Sequence, residues 1–224
     1  MNNFIPIPSP KNDGITLIFL LIFILLVVVK LIYNERLFLL TTIGISKKYF
    51  LNYGKESQLI FNGFNSILFI VQSLIGMLIV YAFLQFYQPE LVQESNFLLL
   101  KIFSCLSIIF LIRYLIGKGL GILFDVENTH NHISFEKMSY LFSILLLILP
   151  FLLSVFYVEK YNFLFFQLLI AVLTILLIIR YLFLFSNNKK QIASRLFYFI
   201  LYLCALEIAP FFIIFKILDK IVII

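Results

Sequence analysis

The sequence predicts an all-α polytopic membrane protein, a bundle of about six transmembrane helices plus one interfacial amphipathic helix. Of its 224 residues, 63% are hydrophobic and 12% are charged, and the mean hydropathy is +1.10. Such a chain has too few polar side chains to cover a water-soluble globule of its size. The apolar residues also form separate runs of about 20, which is the length that crosses roughly 30 Å of hydrocarbon. The lipid bilayer is therefore the expected solvent.

The chain opens with an irregular lead-in, residues 1–14, which contains three prolines and a glycine. We expect residues 15–224 to form one transmembrane domain. The predicted spans cover residues 15–33, 67–86, 97–116, 140–157, 163–185 and 196–215. Residues 34–60 mix apolar side chains with Arg36, Lys47, Lys48 and Lys55, which is typical of an interfacial amphipathic helix or of a loop packed on the bundle. Gln72, Ser73 and Gly76, in the second span, are small or polar groups that suit contact between helices.

The basic residues predict an orientation. One side of the membrane receives 12 Lys and Arg residues and the other side receives five, Lys11, Lys101, Lys160, Lys216 and Lys220. Cytoplasmic loops carry the excess of Lys and Arg, so both termini are expected in the periplasm. The net charge of +6 indicates topology and contact with lipid headgroups, and we expect no nucleic-acid partner.

The last span contains the most unusual polar group, in the stretch LYLCALEIAP at residues 201–210. Glu207 falls near mid-depth, where an ionised carboxylate costs at least a few kcal/mol. Pro210 lacks an amide hydrogen, so the carbonyl of Leu206 loses its helical partner beside this acid. The stretch is either a proton, cation or docking site, or a structural kink whose acid is satisfied by a neighbouring helix.

A short repetition supplies candidate partners for Glu207. The sequence NFLLL at 96–100 resembles NFLFF at 162–166, and IRYL at 112–115 recurs at 179–182. Counting from the periplasmic face puts Lys101 nearest Glu207 in depth, with Gln167 at the matching position of the repeat. Arg113 and Arg180 lie near the cytoplasmic face, where they can reach headgroups.

A polar segment at residues 117–137 contains weaker candidates, Asp125, Glu127, His130 and His132. Histidines two residues apart with nearby carboxylates could ligate a metal, but a site needs three or four convergent ligands. We therefore expect a solvated loop with no metal and no cofactor.

Two stretches carry a family resemblance: LFYFILYLCALEIAPFFIIFKIL at the C-terminus, and GILF at 121–124 with the segment 135–151. They resemble an uncharacterised family of small polytopic inner-membrane proteins of Bacteroidota, a domain of unknown function. The acid three residues before a proline, here Glu207 and Pro210, is its most specific motif. The resemblance implies an inner-membrane location in a Gram-negative cell and implies no activity.

The sequence also lacks catalytic motifs: it contains no phosphate-binding glycine loop, no H-E-x-x-H, no G-x-S-x-G and no acid pair at catalytic spacing. We expect a non-enzymatic membrane component that docks other envelope proteins. The alternative is a small transporter or an ion or proton pathway that uses Glu207. A membrane enzyme ranks third, because it would need residues 125–132 to meet polar groups from other spans.

Overall fold

The structure is a computed structural model, and it describes residues 13–42, 48–53, 62–89, 92, 97–123, 127–158 and 162–187. Every element in these ranges is a helix, which confirms the predicted all-α class. The elements are α1 (Asp13–Ile32), α2 (Asn34–Thr41), α3 (Lys48–Tyr53), α4 (Gly63–Tyr87), α5 (Leu98–Leu123), α6 (Glu127–Tyr157) and α7 (Asn162–Asn187).

Five of these helices are long and apolar enough to cross a membrane, namely α1, α4, α5, α6 from Asn131 onward, and α7 between Phe163 and Leu184. They correspond to the first five predicted spans, and together they make the chain a multi-pass membrane protein. The predicted sixth span, residues 196–215, lies outside the described residues.

Two elements differ from the prediction. The interfacial segment contains two short helices, α2 and α3, where one was expected. The predicted loop is wrong for residues 117–123 and 127–137, because α5 continues to Leu123 and α6 begins at Glu127. Asn131, Phe135 and Glu136 are buried in the bundle, so packing holds this polar stretch in a helix although its composition is that of a loop.

Helix α6 is the centre of the bundle. It packs along α7 and also contacts α4, α5 and α2, while α4 contacts α1 and α5. The middle of the interior is apolar and closed, with Ile75 and Leu78 of α4 meeting Ile148 and Leu152 of α6, all of them fully buried. Since lipid is as apolar as these side chains, close packing rather than a hydrophobic gradient holds the helices together.

The two ends of the bundle differ in chemistry. We call the end where α1, α5 and α7 finish and α4 and α6 start the basic end, because seven of the eight described Lys and Arg residues lie toward it. The opposite end is aromatic. There Phe166 of α7 stacks on Phe86 of α4 at 4.2 Å between ring centroids, and the hydroxyls of Thr16 and Tyr157 are 2.8 Å apart.

Gly76 of α4 faces Leu106 of α5. A Cβ atom built there would lie 3.7 Å from Cδ1 of Leu106, so alanine fits and a larger side chain does not. We expect Gly76→Leu to push the two helices apart and to lower the free energy of unfolding by roughly 1–3 kcal/mol. The measurement is the midpoint of unfolding in a titration with a denaturing detergent.

Gly119 is the matched control for this prediction. It lies on α5, and a Cβ atom there would meet nothing within 4 Å. Gly119→Leu should leave the midpoint unchanged. Equal midpoints for the two leucine variants would contradict a close α4–α5 contact at Gly76.

Candidate functional site

The strongest predicted site falls outside the described part of the chain. Glu207 and Pro210 both lie beyond Asn187, the last described residue. Their predicted partners are described: Lys101 lies near the start of α5 and Gln167 near the start of α7, and both side chains are exposed. Pairing of Glu207 with either of them stays a prediction.

The weaker candidate residues also lie partly inside and partly outside the described part of the chain. Asp125 is not among the described residues, whereas Glu127, His130 and His132 all belong to α6. Nδ1 of His132 lies 3.9 Å from Oε1 of Glu136, one helical turn further on. Across the ranges that the structure describes, no three His, Cys, Asp or Glu side chains are grouped so that they could hold a metal.

The structure instead reveals a cluster of buried polar groups toward the basic end. Seven polar or charged side chains of the described ranges are buried, all of them in the half of the bundle nearer that end: Arg36, Asn65, Gln72, Ser73, Asn131, Glu136 and Ser139. Ser73 is ten residues into α4, or about 15 Å from its start. We call these seven residues the buried polar cluster.

Arg36 of α2 is the cationic member of the cluster. Its guanidinium carbon lies 4.6 Å from the ring centroid of Tyr53 and 4.5 Å from that of Phe64. A cation between two aromatic faces is attracted to the negative charge of both π systems, and the attraction is strongest where water is excluded. With only 6% of its surface exposed, Arg36 ties α2 to α3 and to the start of α4.

Tyr49 of α3, a neighbour of Arg36, connects these contacts to α6. Its ring stacks on that of Phe135, with centroids 5.6 Å apart and an angle of 12° between the planes. Burial raises the pKa of the Tyr49 phenol above its ordinary value, and the positive charge of Arg36 partly opposes this rise. The phenol is therefore neutral at physiological pH, and Arg36 lies beside an uncharged aromatic neighbour.

Just after Phe135, the backbone of α6 accepts two hydrogen bonds from neighbouring spans. Nε2 of Gln72 in α4 donates to the carbonyl of Met138 at 2.8 Å, and Nη2 of Arg180 in α7 donates to the carbonyl of Lys137 at 2.9 Å. A carbonyl oxygen has two lone pairs, so it can accept such a bond besides its helical partner. Consecutive carbonyls of α6 are thus held from two neighbouring helices.

A third hydrogen bond secures the end of α7. Nδ2 of Asn187 donates to the hydroxyl of Tyr140 at 3.0 Å, and the Tyr140 ring lies nearly parallel to that of Phe183. On its other side Tyr140 meets Phe50 of α3, with ring centroids 5.3 Å apart. We call these contacts, from Arg36 through Tyr49 and Gln72 to Tyr140, Arg180 and Asn187, the latch, because they join α2 and α3 to α4, α6 and α7. Arg36, Tyr49, Gln72 and Tyr140 are buried, and Arg180 and Asn187 are half-buried.

The sequence does not predict most of the contacts that form the latch. From the sequence alone, Arg36 and Arg180 are charges that set topology or bind headgroups, and Glu136 belongs to a loop. The predicted roles of Gln72 and Gly76 in helix contact are confirmed, since Gln72 bonds to α6 and Gly76 faces Leu106 of α5. Ser73 is fully buried, and its hydroxyl donates to the carbonyl of Phe69 in its own helix. One available signal was the spacing of Glu136, Ser139 and Tyr140, which places three polar side chains along one face of a helix.

Arg36 should contribute strongly to stability. Replacing it with leucine removes both cation–π contacts and the interaction of the guanidinium with the buried Tyr49 phenol. We expect Arg36→Leu to lower the free energy of unfolding by about 2–5 kcal/mol in detergent titrations. Lys118→Leu, which removes an exposed charge from α5 toward the same end, should change it by less than about 0.5 kcal/mol. Similar losses in both variants would show that net charge, not the buried contacts, sets stability.

Comparison with known proteins adds one finding to this geometry. No curated protein matches the chain, and no solved structure does. The model of one protein family, described as a domain of unknown function (DUF4271), matches residues 15–218. The match covers the described transmembrane helices from Ile15 onward and continues through Glu207 and Pro210. With nearly its whole length covered, the chain belongs to this family of unknown function, the DUF4271 family.

Proposed function

We propose that the chain is a non-enzymatic component of the inner membrane that docks other envelope proteins. The observation that carries the proposal is the way α2 is held. Arg36 on one face of α2 is buried between aromatic rings, while Phe38, two residues later and on the other side of the helix, is 67% exposed. A fixed helix outside the spans thus presents a large aromatic side chain.

Such a side chain suits a binding contact. Aromatic residues dominate the binding energy of many interfaces because they bury a large area with few rotatable bonds. A rigid platform also lowers the entropy that is lost on association. Phe38 is flanked by the exposed side chains of Asn34, Glu35 and Thr41, which would form a polar rim around an apolar centre.

The distribution of buried polar groups weighs against a transport pathway through the described helices. A proton or ion route across a bundle needs polar groups or water along its whole depth. In the described ranges the buried polar cluster reaches roughly half-way, and beyond it Leu78, Ala82, Leu152 and Val155 fill the interior. The alternative function therefore depends on Glu207 and on the last predicted span.

For location, we propose the inner membrane of a Gram-negative cell, in a member of the Bacteroidota, with both termini in the periplasm. The excess of Lys and Arg toward the basic end supports this orientation. The basic end, with α2 and Phe38, would then face the cytoplasm, and a partner would meet the protein at the cytoplasmic surface of the membrane.

The orientation can be tested with single cysteines, after Cys105 and Cys204 have been replaced by serine. Tyr87→Cys, at the end of α4 and 71% exposed in the native side chain, should react with a membrane-impermeant maleimide in intact spheroplasts. Asn34→Cys, at the basic end, should react only after permeabilisation. The reverse pattern would reject the orientation.

The docking proposal predicts that Phe38→Ala releases a partner. Full-length tagged protein purified in a mild detergent should retain a stoichiometric envelope protein, and this variant should reduce its retention about tenfold or more. Phe163→Ala is the control, because Phe163 is similarly exposed, at 62%, but lies at the opposite end.

The alternative function, a transporter or an ion or proton pathway that uses Glu207, predicts a different result. A pH-dependent flux in vesicles that contain only this protein, lost in Glu207→Gln, would contradict a purely docking role. Equal partner retention by the Phe38 and Phe163 variants would separately remove α2 as the docking element.

A further inference from the structure

We propose that the groove between α1 and α6 binds one acyl chain of an anionic phospholipid whose phosphate is held by Lys30. The groove has a volume of about 520 Å3 and opens to the surroundings of the bundle. Its principal lining side chains come from α1 and the second half of α6: Leu20, Phe23, Ile24, Val27, Leu153 and Tyr157. The inference does not depend on which proteins the chain docks.

The shape of the groove fits a single hydrocarbon chain. Its α1 wall runs from Thr16 to Val28, which spans about 18 Å along the helix. Half the hydrocarbon thickness of a bilayer is roughly 15 Å, so this length accommodates a chain from one leaflet.

The lining is apolar along the length of the groove and hydroxylic at one end. Leu20, Ile24 and Val27 are each more than half exposed, so they offer surface to an occupant rather than to the core. At the far end the hydroxyls of Thr16 and Tyr157 lie 2.8 Å apart, so one of them donates a hydrogen bond to the other. These properties suit the tail of a lipid.

Lys30 supplies the charge at the other end. It follows Val27 by three residues, so it lies on the same side of α1 as the groove, one turn nearer the basic end. Its side chain is exposed, and it is in the last turn of α1, at the level of the headgroups. An ammonium at this position can reach a lipid phosphate while the lipid tail lies along the α1 wall. A zwitterionic lipid would gain less from it, because its own cation opposes the contact.

The test uses the absence of tryptophan from this chain. Leu31→Trp places one fluorophore beside Lys30, at a position that is 79% exposed and does not line the groove. Leu182→Trp places one on α7, at a position that is 63% exposed and also near the basic end. Each full-length variant is reconstituted into phosphatidylcholine vesicles that contain a small, varied fraction of brominated phosphatidylglycerol, which quenches nearby tryptophan.

We expect the tryptophan at position 31 to be half-quenched at about a fivefold lower fraction of phosphatidylglycerol than the control, since one lysine near a membrane surface supplies a preference of that size. Brominated phosphatidylcholine should quench both variants alike. Adding Lys30→Gln to Leu31→Trp should abolish the difference. Adding Val27→Phe, which fills the groove and keeps the charge, should reduce it.

Two outcomes would overturn the proposal. Equal quenching of the two variants by phosphatidylglycerol would show that no anionic lipid is selected at α1. A preference that survives Val27→Phe unchanged would show that Lys30 attracts headgroups without a chain in the groove. Circular dichroism and the elution volume of each variant establish that the fold is intact in the compared samples.

Discussion

Burial of a cation outside the spans governs the organisation of the basic end. A guanidinium removed from water must find compensating interactions, and Arg36 finds two aromatic faces, one from α3 and one from α4. This requirement brings three elements to one place and holds α2 against the bundle. Tyr49 extends the group by stacking on Phe135, so the position of the segment between the first two long helices depends on α6 as well.

The same requirement explains why α6 is central. Polar side chains that reach into a bundle need acceptors, and the carbonyls of Lys137 and Met138 serve Arg180 and Gln72 from two different helices. Each bond is modest, since hydrogen bonds between membrane helices average about 0.6 kcal/mol. Together with the Tyr140 contacts they fix α4, α6 and α7 relative to one another near the basic end, while apolar and aromatic packing does so elsewhere.

Polar contacts hold the helices together near the basic end, and apolar and aromatic packing holds them elsewhere. The molecule thus has a polar half and an apolar half, and the functional proposals follow from that division. The polar half holds a short helix rigidly at the membrane surface, which is useful for presenting a side chain such as Phe38. The apolar half fills the interior with Leu and Ile side chains, which suits an anchor better than a conduit in the described helices. On the outer wall of α1 the apolar surface is concave beside α6, and there a lipid tail replaces protein as the packing partner.

The sequence by itself determined the all-α class, the five described spans and the excess of positive charge at one end. The reason is that the length of an apolar run and the position of Lys and Arg are properties of the linear chain, and they are the same in any arrangement of the helices. It also identified Gln72 and Gly76 as contact residues. Only the tertiary structure decided that residues 127–137 are helical, that Arg36 is buried between Tyr53 and Phe64, and that Arg180 reaches a backbone carbonyl. A polar residue has the same place in the linear pattern whether its side chain contacts water or a neighbouring helix. Which of the two it contacts depends on which helices pack together, and the linear pattern does not contain that information.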